Sequence, residues 1–229
     1  MTSNNRRFSG FGRETFQYLA DLKANNYRGW FQANRARYES AWKAPALDLI
    51  AALAAPMAAL DPPLKAEARL NGSLRRINRD VRFSRDKAPY HTMMHLIFWS
   101  GSHPNRSPGI HFVLDHDGIG YGAGVYGLEP AQLISIRARI VDAGDRAQLL
   151  RAVTGAHKVG CDFDPPELKR LPKGYEADGD WEHLLRRKLF VMRTQRNQPA
   201  PDWMLSDRCV DRIMGITQAL MPLLRWLGA

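Results

Sequence analysis

Between Met93 and Tyr126 the apolar residues of this chain stop recurring at every third or fourth position and gather into short β-branched and aromatic runs. Helical periodicity holds on either side, and that change of period constrains the fold more than any other feature. Before it, Phe16, Leu19 and Leu22 recur at helical spacing until Asn25-Asn26 breaks the run. A second helical stretch carries Trp30, Phe31, Tyr38 and Trp42. Pro45 suits the first turn of a third helix, where its missing N–H costs nothing. Leu47, Ile50, Leu53, Met57 and Leu60 are that helix's predicted buried stripe, and Asp61-Pro62-Pro63 ends it. Leu74 to Phe83, Met93 to Trp99, Ile110 to Asp115 and Ile119 to Tyr126 read as strands. Asp117-Gly118 between the last two is a hairpin signal. Beyond them, Pro130 opens a helix with Leu133, Ile136 and Ile140 on one face, and Asp145 to Thr154 forms another. Asp162 to Asp178 reads as irregular, Lys188 to Arg193 as a further strand, and Asp207 to Leu227 as a final helix burying Val210, Ile213, Ile216, Leu220, Leu224 and Leu227. Strands grouped between helical segments predict an α+β fold. The expected architecture is a single domain over 1–229, with N-terminal helices, a central antiparallel sheet of about four strands, C-terminal helices and a flexible tail over 1–10.

The polar residues concentrate in one place, Arg75 to His91, which reads RRINRDVRFSRDKAPYH. Arg75, Arg76, Arg79, Arg82, Arg85 and Lys87 face only Asp80 and Asp86 in sign. If Arg76 to Ser84 is extended, its side chains alternate between faces. Arg76, Asn78, Asp80, Arg82 and Ser84 then form a polar row, a set of forked donors suited to holding a phosphate or carboxylate. Ile77, Val81 and Phe83 fall on the other side together with Arg79. A guanidinium among apolar groups requires a counter-charge, and Asp86 is the expected partner. Ala88-Pro89-Tyr90 stiffens the end of the segment.

The wider composition agrees with an anionic partner without choosing one. The chain has 33 Lys and Arg against 23 Asp and Glu, a formal net charge of +10 and a pI near 9.9. Such an excess attracts nucleic acids, anionic surfaces and small anions alike. Cys161 and Cys209 stand alone, so neither a disulfide framework nor a paired-cysteine zinc site is readable, and a reducing, cytoplasmic setting is expected. The polar start, Met1 to Phe8, lacks the apolar core of a signal peptide. No stretch approaches the roughly 20 apolar residues that a membrane span needs.

Several motifs fall short of their mechanisms. Gly122-Ala123-Gly124-Val125-Tyr126-Gly127 matches G-x-G-x-x-G, but the next helix waits for Pro130, so the glycines read as a strand approached closely by another backbone or a ligand. Ser84 and Lys87 are spaced as S-x-x-K, yet Pro89 leaves little room for the helix that pairing needs. His91 and His95 are too far apart at strand spacing to chelate one ion easily. His111, Asp115 and Asp117 alternate onto one face, with His116 at the turn. A metal site from His91, His95 or His111 plus an Asp is conceivable, with satisfied or exposed histidines the better reading. The tryptophans fall on apolar positions where core packing accounts for them. Cys161 has no histidine partner in sequence that would make it a nucleophile.

The segment Ser73 to Tyr90 resembles the hallmark of an uncharacterised family, the domain of unknown function numbered 2461. Further similarity lies in order along the chain: Phe11 to Tyr38 with its NNYRGWFQANRARY run, Gly122 to Tyr126, and Leu168 to Tyr175. The resemblance implies one whole-chain domain of the bacterial, soluble kind, and it implies no activity and no catalytic residues. The residues themselves support three readings. In the first, Arg76, Arg79, Arg82, Arg85, Lys87 and Tyr90 bind an anionic small molecule, with Asp80 or Asp86 as base or orienter if the protein is an enzyme. In the second, the net charge and a further basic cluster, Arg186-Arg187-Lys188 with Arg193 and Arg196, bind nucleic acid. In the third, the Arg/Asp segment only stabilises a scaffold or protein-interaction module. No cofactor or metal is called for by any of the three.

Overall fold

A computed structural model describes residues 8–177, 179 and 181–228. Of the tail expected over 1–10, residues 1–7 lie outside the described residues. Phe8 is buried, and Gly10 (φ +102°) lies against the backbone of Leu205 and Ser206. The chain forms helices α1 (Arg13–Ala24), α2 (Arg28–Ala33), α3 (Arg35–Arg37) and α4 (Ala44–Ala58), then strands β1 (Met94–Trp99), β2 (Gly109–Leu114) and β3 (Ile119–Val125). Helices α5 (Pro130–Val141) and α6 (Ala143–His157) follow, then β4 (Cys161–Phe163), α7 (Glu182–Leu185), β5 (Phe190–Thr194) and α8 (Cys209–Gly228). The fold is α+β, with a five-stranded antiparallel sheet in the order β1-β2-β3-β5-β4. No helix among the described residues is long and apolar enough to cross a membrane.

The sheet corrects two expectations. Leu74 to Phe83 is not one of its strands: this stretch makes isolated bridges, Leu74 to Leu70 and Leu96, and Asn78 to Tyr90. Its alternation is real as far as Ile77, which is buried, but beyond Arg79 the chain curls on itself and leaves Phe83 in solvent. In its place the sheet gains β4, a three-residue strand at the start of the Asp162 to Asp178 stretch, paired with β5 from Cys161–Thr194 to Phe163–Met192. Asp178 lies outside the described residues. The β2–β3 hairpin closes as Asp117-Gly118 indicated. Asp115 Oδ1 accepts from the Asp117 and Gly118 N–H groups, and the Asp115 N–H donates to the Gly118 carbonyl at 3.0 Å.

The described chain divides into two compact units. One comprises Met1–Phe98, His111–Gly120 and Arg196–Gly215, and the other Trp99–Ile110, Tyr121–Gln195 and Ile216–Ala229. In the first, Ala46, Leu49, Ile50, Leu53 and Met57 of α4 are buried at the expected helical period, with the stripe rotated away from Leu47 and Leu60. Between α3 and α4 the backbone widens into a π-helical turn, Tyr38–Lys43. The Thr15 hydroxyl donates to the Ala41 carbonyl there at 2.7 Å, and the Tyr38 and Trp42 rings stack 5.1 Å apart. In the second unit, the Gly122 and Gly124 backbone lies directly against β5. A Cβ on Gly124 would come 2.1 Å from the Phe190 carbonyl oxygen, so this face needs glycine. Helix α5 starts at Pro130 behind a capping box in which Gln132 Oε1 accepts from the Glu129 N–H at 2.9 Å.

Candidate functional site

The Arg/Asp segment folds as an irregular hairpin in the first unit. Its arms are joined by the Arg79 N–H to the Pro89 carbonyl at 2.9 Å and the His91 N–H to the Ile77 carbonyl at 2.7 Å. Arg79 meets Asp86 as expected, at 2.6 Å, and also donates to the Ala88 carbonyl. Arg82 closes a fork on Asp80, Nε to Oδ1 at 3.0 Å and Nη2 to Oδ2 at 2.7 Å. Both carboxylates are held below their usual range. For Asp80 the cause is the Arg82 fork, and for Asp86 it is the Ala88 N–H and then Arg79. Lys87 Nζ donates to the Val81 carbonyl at 3.0 Å. Arg76 and Arg85 are exposed, with no carboxylate paired to either among the described residues. Tyr90 is not on this surface. Its ring is buried against Phe31, stacked at 4.2 Å, and its backbone N–H and carbonyl are both bonded by the Asn26 side chain. The expected set is thus together in sequence but divided in space: Tyr90 belongs to the core, and the charged groups surround an exposed loop.

A cavity of about 680 Å³ lies within the second unit, where no site was expected. Helix α6 contributes Leu150, Val153, Thr154 and His157, the segment after β4 contributes Asp164-Pro165-Pro166, and the α7 region contributes Trp181, His183 and Leu184. The lining is mostly apolar, with a few polar groups converging on it, the usual make-up of a small-molecule site. Among these, Arg187 stands out because it is only 5% exposed. Its Nη1 donates to the Asp164 carbonyl at 2.6 Å and its guanidinium lies 4.1 Å from the Phe163 ring centroid. Its Nε–H is buried with no hydrogen-bond partner. Burial holds its pKa below the usual value, and Glu167, Asp162 and Asp164 offset this only from a distance. These three acids are engaged elsewhere: Glu167 accepts the Lys188 N–H at 2.7 Å, Asp164 takes a two-pronged contact from Arg193, and Asp162 Oδ1 is 3.2 Å from His157 Nε2. Arg137, itself buried on α5, fixes the turn that carries Arg187 by donating to the Leu185 and Arg187 carbonyls. Of the second basic cluster, Arg187 is inside, Arg193 holds Asp164 and Arg186 lies 3.5 Å from Glu182, while Lys188 and Arg196 are exposed.

The remaining chemistry-bearing groups are committed to the fold. His95 Nε2 and His111 Nδ1 are 2.8 Å apart, and burial lowers their pKa values to about 4 and about 3. Asp115, His116 and Asp117 bring three ligating atoms within 4.8 Å of one another. Lys23 Nζ nevertheless occupies His116 Nε2 at 2.9 Å, and Asp115 accepts from Asn197. Cys161 and Cys209 are buried thiols pushed up to about 12, which removes the thiolate a nucleophile needs. The cavity was hard to see in the sequence because its residues span Leu150 to Arg187. The clue was the His157, Asp162, Asp164 and His183 spacing around Asp164-Pro165-Pro166.

The architecture and cavity define an α+β protein built on a five-stranded antiparallel sheet. Within that class, the chain belongs to the family of conserved hypothetical proteins designated domain of unknown function 2461, whose model matches residues 14–226. No curated protein and no solved structure matches it.

Proposed function

We propose that this protein binds a small molecule with an apolar body and a carboxylate or phosphate group, the anion lying on Arg187 in the second unit's cavity. The carrying observation is the buried guanidinium with an unsatisfied Nε–H and, among the described residues, no paired carboxylate. An unpaired buried charge is costly, and an anionic ligand removes that cost while supplying the missing acceptor. In the Arg/Asp loop, by contrast, an incoming anion would have to displace Asp80 from Arg82 or Asp86 from Arg79. Leu150, Val153, Phe163 and Trp181 would accept the apolar body. The His157–Asp162 pair on the same wall is the group to examine for proton transfer if the ligand is turned over.

The test is thermal unfolding of the full chain against aromatic and short-chain carboxylates, phosphate monoesters and their uncharged amide or alcohol counterparts. A ligand at 100 times its dissociation constant adds about 2.7 kcal/mol, which raises the midpoint by roughly 5–10 °C in a chain of this size. An anion should shift the wild type, its neutral counterpart should not, and Arg187→Met should abolish the shift. A panel without any shift, or a shift that survives in Arg187→Met, overturns the reading.

A further inference from the structure

Phe83 is 96% exposed, in a loop whose two carboxylates, Asp80 and Asp86, are paired within it. A single exposed apolar residue is ordinary on a protein surface, but this ring is held in water by an ordered loop beside several cations. The order is evident. Asp80 holds Arg82, the Ser84 N–H donates to the Val81 carbonyl at 3.3 Å, and Lys87 reaches the same carbonyl at 3.0 Å. Asp86 Oδ1 accepts the Ala88 N–H, and its other oxygen takes Arg79. None of these contacts involves the Phe83 ring. They fix the backbone around it and leave the ring in solvent.

The charges around the ring decide what it could meet. Both carboxylates of the loop are consumed by Arg79 and Arg82, so the charge left over is positive: Arg76, Arg85 and the remaining N–H groups of Lys87. Arg82 is a special case. Two of its five N–H donors fork onto Asp80, which pins its plane, and its guanidinium carbon lies over the Phe83 ring, 5.8 Å from the centroid. An aromatic face beside a pinned guanidinium plane is a stacking platform for a planar base, while free cations nearby suit a phosphate backbone. A lipid surface would use the charge but not the pinned plane, and would have to dehydrate two loop carboxylates.

The geometry points to the Phe83 loop as a contact site for single-stranded nucleic acid, one base stacking on Phe83 and Arg82, with Arg76, Arg85 and Lys87 against phosphates. This site is separate from the Arg187 cavity in residues and in chemistry, and either can fail without the other.

Fluorescence anisotropy of a labelled 12-nucleotide single strand titrated with the full chain tests it. Three phosphate contacts predict a log–log salt slope of about −2, so affinity should fall about 20-fold between 50 and 200 mM salt. Phe83→Ala should weaken binding by about 10- to 100-fold with no change in the unfolding midpoint, and Phe83→Tyr should restore it. Substituting Arg76, Arg85 and Lys87 together by Gln should flatten the salt slope while Phe83 is intact. No binding at 50 mM salt, or equal binding by Phe83→Ala, overturns the proposal. So does binding to phosphatidylserine vesicles with none to the oligonucleotide, which would assign the loop to a membrane surface.

Discussion

Gly124→Ala provides the sharpest test of the sheet geometry, because its cost can be separated into two parts. Gly124 has φ +153°, where residues with a side chain are strained, at about 1–3 kcal/mol. Its added Cβ would also lie 2.1 Å from the Phe190 oxygen and 2.6 Å from Val191 Cα, both backbone atoms of β5 that cannot rotate away. Forcing such an overlap costs about another 1–3 kcal/mol, giving a total of about 2–6 kcal/mol. Gly174, in the same unit, isolates the first part: its φ is +86°, and a Cβ added there would meet nothing within 4 Å. Gly174→Ala should cost only about 1 kcal/mol, once the reduced freedom of the unfolded chain is credited. Urea unfolding of the wild type and both variants reads the difference. With a slope of about 2 kcal/mol per molar, the Gly124 variant should lose roughly 1–3 M in midpoint and the Gly174 variant about 0.5 M. Equal losses would mean that β5 yields to a methyl group, and the close-approach account of this glycine strand would be wrong.

Other consequences can be measured in the same way. Because His95 and His111 have folded pKa values of about 4 and about 3, below the ordinary 6.5, the unfolded chain binds more protons than the folded one between those limits. Stability should therefore fall as pH drops from 7 to 5, by on the order of 3 kcal/mol for the pair, and His95→Gln with His111→Gln should flatten the profile. A stability that is level or rising over that window would contradict the burial of the pair. Asn26→Ala removes both bonds to the Tyr90 backbone and should cost about 1–3 kcal/mol, with faster hydrogen exchange at the Tyr90 amide as its local signature. Gly215 lies inside α8 with open space around a Cβ, so Gly215→Ala should stabilise by about 0.8–1 kcal/mol in thermal unfolding.

What was legible in the sequence was local. The helical period of α4, the Asp117-Gly118 turn and the tight glycine strand each follow from neighbours a few residues apart. The Arg79–Asp86 pair was legible for the same reason, since a guanidinium among Ile77 and Val81 needs an acid within reach. β4 was not, because Cys161-Asp162-Phe163 is too short to show a period and becomes a strand only by pairing with β5. Phe83 misled for a related reason. Strand alternation assigns it to a buried face, but the Asp80–Arg82 fork turns the backbone before that face is reached.

Arginine raises the same problem on a larger scale. Arg79, Arg82 and Arg187 each sit in a basic run of the sequence, and a net charge of +10 ranks them equally. The structure separates them by partner. Arg79 and Arg82 have carboxylates within the same loop, close enough in sequence to be anticipated. Arg187 is buried among residues from α6, the segment after β4 and α7, and the acids of that wall are engaged by His157 and Arg193. That no described carboxylate pairs with it is therefore a property of three separated segments at once. Any sequence measure that scores local charge density will point to the Arg/Asp loop first. Energetically the order reverses, because a paired and exposed guanidinium gains little from one more anion, whereas an unpaired and buried one gains most.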